Sequence, residues 1–414
     1  MSVTEPPPAP PSGRGALQKR EARLAWGLLF PTIAIVSMVV ILPLLAIFWI
    51  SFKPVGLADL RPTVPVVRES LRGSGGDLRL EYRVRNTSQD KVITGVTLSD
   101  TLPPDLVVTD VPAPCVLSAG LFECDFGMLE AGFNERLILP LTFSGDEDAL
   151  EDLLEGSEPI MTGEADNILT NAEFTFENFI RIFDADEFWE VMWVTLFYTV
   201  FGTIGALVMG LFAAMLLNKS FRGQGILRGL YLFPYVAPVI AVAFTWVTLF
   251  DPFSGSANAL LIQMGVTDEA INFFGQRPLA LIMVTVFEIW RYFPLSFLFI
   301  LARMQSIDSD MYEAADMDGA SPFQKFWYLS LPMLVGILSV LFLLRFIWTF
   351  NKFDDIFLLT GGNAGTRTLT VNVYEQAFAI SNIGAGAAVA VVIFGCLILF
   401  AAFFFRFISR EEGL

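Results

Sequence analysis

The amino-acid sequence predicts an all-α polytopic membrane protein carrying a small inserted β-sandwich, and three observations predict it. Apolar residues make up 54% of the chain and mean hydropathy is +0.59, above what a soluble domain carries. Those residues gather in six long runs. One block, residues 53–165, breaks the pattern by alternating apolar and polar side chains with period two.

Residues 1–24 open Pro-rich, as a disordered tail does, and then bring Arg14, Lys19, Arg20 and Arg23. Residues 25–52 carry no charge until Lys53 and, at about 1.5 Å per residue, exceed a ~30 Å hydrocarbon core. A cleaved leader has a shorter apolar region and a small-residue cleavage site, so a retained first helix is expected. Charge-free runs follow at 191–217, 230–250 and 383–405, and runs interrupted by charge at 279–302 and 331–351. Basic residues mark alternate loops: the N-terminal tail, Lys219, Arg222 and Arg228, then Arg303 and Lys325, then Arg406 and Arg410. The positive-inside rule places those loops and both termini in the cytoplasm of a multi-pass inner-membrane protein.

Within the insert, residues 78–84 and 136–143 alternate, 92–98 and 106–109 are β-rich, and Pro, Gly and Asn lie between. The reading is an immunoglobulin-like sandwich outside the cytoplasm, where Cys115 and Cys124 can pair. Nine acids without Lys or Arg at 146–166 read as a solvated linker. Residues 166–190 read as a lead-in helix, 191–406 as the membrane core and 407–414 as a cytoplasmic tail.

The chemistry this chain excludes is as informative. There is no His, which rules out a Ser-His-Asp triad and removes the commonest metal ligand. No zinc spacing and no phosphate-binding Gly-x4-Gly-Lys-Ser/Thr loop occur. No catalytic residue, metal or cofactor is therefore assigned to this chain, and no nucleic-acid partner is expected. The net charge of −17 sits mostly in the extramembrane block.

Inside the spans, Glu288, Arg291 and Arg345 each cost about 2.5 to 3.5 kcal/mol at mid-membrane, so they face a polar cavity or one another. Glu288 and Arg291 are three apart, and a local ion pair is one reading. Trp290, Tyr292 and Trp348 beside Glu288, Arg291, Arg345, Thr349 and Asn351 give another: flat apolar faces next to hydrogen-bonding groups suit a sugar ring.

One polar segment between apolar runs carries two sets of helix punctuation. Asp308 or Ser309 caps a helix through Met317, Gly319 closes it, and Ser321, Pro322 and Gln324 start a second with a capping box. The spacing Glu313-Ala314-Ala315, then Asp318-Gly319-Ala320, then Leu329-Ser330-Leu331-Pro332 resembles the EAA loop of permease subunits of bacterial ABC importers, in the maltose/trehalose-type carbohydrate branch; Leu329 stands where Ile is commoner. The resemblance runs from about residue 173 to the C-terminus. It implies a six-helix type I importer domain whose loop, through Glu313, Ala314, Ala315, Asp318, Gly319, Ala320 and Pro332, docks on an ATPase. It also implies sugar contacts at Glu288, Trp290, Arg291, Tyr292, Leu295, Arg345, Trp348 and Thr349. The implied partners are a second permease, two ATPase subunits that bind the ATP and Mg, an extracytoplasmic solute-binding protein facing the Gly361-Gly362 turn, and a sugar such as an α-glucoside disaccharide or oligosaccharide. Gly384, Gly386, Ala387 and Ala388 read as close helix packing. In the insert, Asn86-Thr87-Ser88, Asp100-Thr101-Leu102-Pro103, Cys115, Cys124 and the 127–132 segment resemble repeat modules of bacterial surface proteins. The alternatives from the residues alone are an ion-coupled secondary transporter, which often shows inverted repeats not seen here, and a membrane-anchored adhesion protein, for which one span suffices.

Overall fold

The computed structural model describes residues 16–73, 77–103, 106–143, 150, 154 and 158–407. Helix α1 (Ala16–Val36) runs through a π-turn at Ser37–Ile41 into α2 (Leu42–Ser51). The helix begins inside what reads as a tail, so Arg20 and Arg23 are helical rather than disordered. Most of the rod is exposed along its apolar length, and only its α2 end packs, with Phe48 edge-on to Phe394 at 5.7 Å.

The insert is a sandwich of two four-stranded antiparallel sheets, ordered β1-β2-β7-β4 and β5-β6-β3-β8. The strands are β1 (Pro65–Arg72), β2 (Arg79–Asn86), β3 (Ile93–Thr101), β4 (Val107–Val108), β5 (Cys115–Ser118), β6 (Leu121–Leu129), β7 (Asn134–Thr142) and β8 (Ile160–Glu164). Period two decides the faces: Leu80, Tyr82 and Val84 of β2 are buried, as are Leu137, Leu139 and Leu141 of β7, with Leu139 opposite Leu80 and Leu137 opposite Tyr82, while Arg83 and Arg85 stay out. Strand β3 obeys this only after a bulge. Gly95 and Gly127 take positive φ where the β3–β6 register shifts, which turns both Ile93 and Val96 inward. The Tyr82 hydroxyl donates to Asp100, satisfying both inside the core, and its ring stacks on Phe122 at 5.2 Å. Cys115 and Cys124 face each other across β5 and β6 and are bonded. The acidic run is not all linker: its end, 160–164, is β8, added to β3, and most of the remaining run lies outside the described residues.

Both ends of the insert are clipped to the bundle at one point. Lys53 is fully buried and donates to the backbone and side-chain oxygens of Asn171, with its ammonium 4.5 Å from the Phe174 ring and 5.1 Å from Trp49. Trp49 Nε1 donates to Leu169 O at 2.8 Å, and Asn178 Nδ2 to the carbonyls of Ser51 and Lys53 at 2.9 and 2.8 Å. Gly384 permits this approach, since a Cβ there would lie 2.3 Å from Lys53 O.

The bundle continues with α3 (Glu177–Asp184), α4 (Phe188–Leu217), α5 (Gln224–Tyr231), α6 (Phe233–Val236), α7 (Val239–Leu249), α8 (Ser256–Gln263), α9 (Leu279–Gln305), α10 (Ser309–Met317), α11 (Pro322–Lys325), α12 (Leu331–Phe350), α13 (Asp354–Thr360), α14 (Leu369–Tyr374) and α15 (Ile383–Phe407). Among the described residues, five helices are long and apolar enough to cross a membrane. The sixth expected span, 230–250, is not one helix but a pair bent by 88° between Val236 and Val239. Pro238 causes the break: it supplies no N–H and drives Ala237 into extended backbone at ψ 143°. Helix α4 is the axial element. Its Gly210 lies so close to α9 that a Cβ would meet Phe297 N at 2.8 Å and Ser296 Cβ at 2.7 Å, the small-residue packing that apolar solvent favours.

Because the clip lies outside residues 60–165, replacing that segment with a short Gly/Ser linker leaves membrane yield unchanged and the detergent Tm within a few degrees. Lys53→Met in the full chain lowers stability by ~1 to 3 kcal/mol through the orphaned Asn171 groups. Thermal size-exclusion profiles check both, and a Lys53→Met Tm equal to wild type contradicts the clip.

Candidate functional site

The polar centre of the bundle is built on Glu288 of α9. Gly202 of α4 makes room for it, since a Cβ there would sit 2.9 Å from Glu288 Cγ. The carboxylate then takes three donors from two other helices. Arg345 NH2 reaches Oε1 at 2.7 Å, Thr349 Oγ1 reaches the same oxygen at 2.9 Å, and Tyr198 OH reaches Oε2 at 3.0 Å. Arg345 and Thr349 are four apart on α12 and so share a face. All four side chains are buried. Glu288 therefore pairs between helices, and the local pair with Arg291 is not the one formed.

Arg291 turns elsewhere. Its NH1 and NH2 donate at 3.0 Å each to the carbonyls of Pro234 and Ala237, at the break between α6 and α7. Tyr292 is half-buried under three cations: Lys352 at 4.3 Å, Arg345 at 4.8 Å and Arg291 at 5.6 Å from its ring. Trp290 packs against Trp246 at 5.5 Å and Phe287 at 6.3 Å. Leu295 is half-buried, and Trp348 is exposed on α12. The eight expected sugar positions thus divide. Glu288, Arg345, Thr349 and Tyr292 meet, Arg291 serves backbone, and Trp290, Leu295 and Trp348 stand apart.

Sequence reasoning missed two charges beyond the end of α12. Lys352 lies 3.6 Å from Asp354 and 3.9 Å from Asp355. Asp355 is buried, and neither carboxylate oxygen has a hydrogen-bond partner among the described residues. Burial and then the neighbouring Glu288 push its carboxyl up to about 8, against the opposing pull of Lys352. Lys352 is itself held above the ordinary lysine range: burial opposes its charge, but Asp355 and Tyr292 outweigh burial. Adjacency to Tyr292 was not visible in the sequence, because it arises where the chain beyond α12 turns back and α13 packs against α7 and α9. Tyr198 was missed as one of four hydroxyls, with Thr195, Thr199 and Thr203, in an otherwise apolar run.

At the far end of α9 and α12 the elbow forms as its punctuation predicts. Asp308 caps α10 through Asp310 N at 3.1 Å. Gly319 (φ 75°) closes it, with Ala320 N donating to Ala315 O at 2.9 Å and Gly319 N to Asp316 O at 3.0 Å. Ser321 and Gln324 exchange capping-box bonds at 2.8 and 3.3 Å. The arms are then cross-tied: Lys325 to Asp316 at 2.6 Å, Tyr312 OH to Ser330 Oγ at 2.9 Å, and Arg303 Nε to Met333 O at 3.2 Å. Glu313, Ala314, Asp318 and Gly319 are exposed, Ala315 and Ala320 half-buried, and Pro332 opens α12. Met317, Phe323 and Tyr328 are 88%, 71% and 78% exposed on this rigid knob.

At the opposite end, the 361–365 turn is fixed by Arg367 to Glu187 and Glu375 and by Arg277 to Glu190. Gly365 lets Arg277 pass, since a Cβ there would lie 2.6 Å from its Nε.

Helices locked through a buried ion pair, one broken span and a capped, cross-tied elbow define a polytopic bundle of membrane-spanning type. The comparisons give the family. Residues 206–412 match the model of the binding-protein-dependent transport system inner membrane component, and the chain belongs to that family. It is 37% identical over 235 residues to the inner membrane ABC transporter permease protein YcjO of Escherichia coli, covering 56% of this chain and 78% of that one. It is 31% identical over 230 residues to the trehalose/maltose transport system permease protein MalF of Thermococcus litoralis, covering 55% and 77%. Its fold is similar to a chain in the crystal structure of a bacterial ABC transporter involved in the import of alginate, with TM-score 0.54, 20% identity and coverage of 59% and 86%.

Two outcomes follow from the site. Glu288→Gln leaves Arg345 buried without a counter-charge and costs ~3 to 5 kcal/mol, of which Glu288→Gln with Arg345→Met recovers a large part; a Tm cycle in detergent measures the coupling. For Asp355, the folded carboxyl binds its proton more tightly than the unfolded one. Its burial therefore adds no penalty at pH 4 and an increasing one as pH rises toward 8. Wild-type stability falls across that window, and Asp355→Asn flattens the profile.

Proposed function

We propose that this chain is the permease subunit of an ATP-driven importer that carries a saccharide across the inner membrane. The observation that carries the reading is the elbow, a knob held rigid by two caps and three cross-ties that presents the exposed side chains of Met317, Phe323 and Tyr328 at the joint of two spans. Such a surface suits the cleft of a separate protein. The family membership and the names of the relatives, a trehalose/maltose permease among them, support an ABC permease of the sugar-transporting kind, such as one for an α-glucoside disaccharide or oligosaccharide.

In this reading the elbow and both termini are cytoplasmic. Two ATPase subunits, which bind the ATP and Mg, grip the 306–332 segment through Glu313, Ala314, Ala315, Asp318, Gly319, Ala320 and Pro332. A second permease faces the sugar path, and an extracytoplasmic binding protein delivers the sugar near the 361–365 turn; the alginate transporter has been crystallised with a pentasaccharide-bound periplasmic protein. The insert at 53–165 lies outside the cytoplasm, in keeping with its disulfide. Tyr292 and Trp348 line the path, and Glu288, Arg345 and Thr349 brace it from behind. Closure of the ATPases moves the elbow and switches the path between inward- and outward-facing states.

Glu313→Lys and Gly319→Asp each abolish nucleotide-driven uptake in proteoliposomes of the co-purified complex, with membrane insertion unchanged. Gly319→Asp also strains a left-handed residue. Normal uptake by Glu313→Lys contradicts the docking assignment.

A further inference from the structure

The break between α6 and α7 leaves a gap in the backbone hydrogen bonding at a defined place. In an unbroken helix the N–H of residue 238 would serve the carbonyl of Pro234, and residue 238 is a proline. The 88° turn also takes Ala237 out of helical geometry, with extended φ and ψ. Unpaired carbonyls within an apolar solvent each cost several kcal/mol. Arg291 meets two of the carbonyls that the break leaves without a backbone donor, Pro234 O through NH1 and Ala237 O through NH2, at 3.0 Å each. Its guanidinium charge also sits at the C-terminal end of the short α6 helix, where a cation is favoured. Pro238 and Arg291 are therefore complementary parts of one device.

The position of that device is what gives it a transport role. Arg291 stands three residues from Glu288 on α9, the helix that reaches the elbow after residues 306–308. Glu288 locks α9 to α12, the helix leaving the elbow on the other side. Arg303 joins the same two helices next to the elbow, through Met333 O. Helices α9 and α12 thus form one lever, tied at mid-depth and at its base. The half-span α5–α6 ends at the carbonyls that Arg291 holds. Besides Arg291, its contacts with α9 are packing contacts such as Tyr231 against Phe293 and Phe297, at 5.8 and 5.9 Å, and these can slide.

We infer that Arg291 is a positioning residue for transport, the pin through which movement of the elbow-bearing lever is passed to the broken half-span, so that the α5–α6 half travels with α9 when the path changes access. The inference rests on the importer reading above. It gives Arg291 a role other than sugar contact, because its two terminal nitrogens already serve backbone.

The test uses the complete co-purified complex in proteoliposomes, with uptake of radiolabelled maltose and trehalose and ATP hydrolysis measured together, for wild type, Arg291→Lys, Arg291→Met and Arg291→Met with Pro238→Ala. The last variant restores the N–H that Pro238 lacks and supplies Pro234 O without Arg291. Arg291→Met is expected to raise ATP consumed per sugar at least tenfold, through a fall in maximal uptake with the KM for sugar within twofold. Arg291→Lys, which keeps the charge and a donor, recovers part of the coupling. The double variant regains part of the Tm lost in Arg291→Met but stays uncoupled. The inference is overturned if Arg291→Met keeps a wild-type ratio, if its defect is confined to KM, or if the double variant regains coupled uptake, which would make Arg291 a backbone filler only. Wild type showing no nucleotide-driven uptake overturns the importer reading, and this inference with it.

Discussion

The ion pair between Glu288 and Arg345 is the constraint on which the arrangement of the bundle depends. A carboxylate placed among apolar helices is unfavourable unless its charge and its lone pairs are both met, and here three donors from α4 and α12 converge on one side chain of α9. That convergence fixes the rotation of all three helices at once. Gly202 is small because Glu288 needs its space, and Tyr198, Arg345 and Thr349 face inward because Glu288 accepts from them.

The same constraint explains why the elbow can act at a distance. It joins α9 and α12, so a push on it reaches the polar centre only if those helices do not slide past each other. The cross-ties at the base and the ion pair about 26 Å along α9, at about 1.5 Å per residue, make the two helices one body. The broken half-span begins bonded to the end of α4 through Gln224 and Arg228, and at its break Arg291 holds it to α9. The β-insert stands outside this chain of contacts: its root is clipped by Lys53 and Asn178 at the far end of the bundle.

Much of this was legible in the sequence because local physics decides it. The elbow follows from Asp308, Gly319, Ser321 and Gln324, each acting within a few residues, and the inward faces of β2 and β7 follow from strict alternation. What stayed hidden depends on contacts between distant segments. The alternation fails in β3 because two glycines form a bulge, and β8 hides in an acidic run because pairing with β3 outweighs its composition. Residues 230–250 read as one span since hydropathy counts apolar residues and does not weigh Pro238. Among the site residues, the cost of intramembrane charge led to the expectation that Glu288, Arg291 and Arg345 face a cavity or one another; Glu288 and Arg345 pair, while Arg291 meets backbone carbonyls instead. That cost could not say which partner each takes, because spacing along α9 favoured the local pair and only the packing of α4, α9 and α12 selects the other.

The central claim, that α9 and α12 move as one piece, can be measured by distance. Spin labels at Val286→Cys and Leu344→Cys, both exposed positions on these helices, with Cys396→Ser removing the free cysteine, report their separation in the assembled complex with and without bound nucleotide. A second pair, Met317→Cys on the elbow and Leu399→Cys on α15, reports whether the lever has moved. The account predicts that the 286–344 distance is the same in both states while the 317–399 distance changes by several ångströms. A nucleotide-dependent change between 286 and 344 would contradict it.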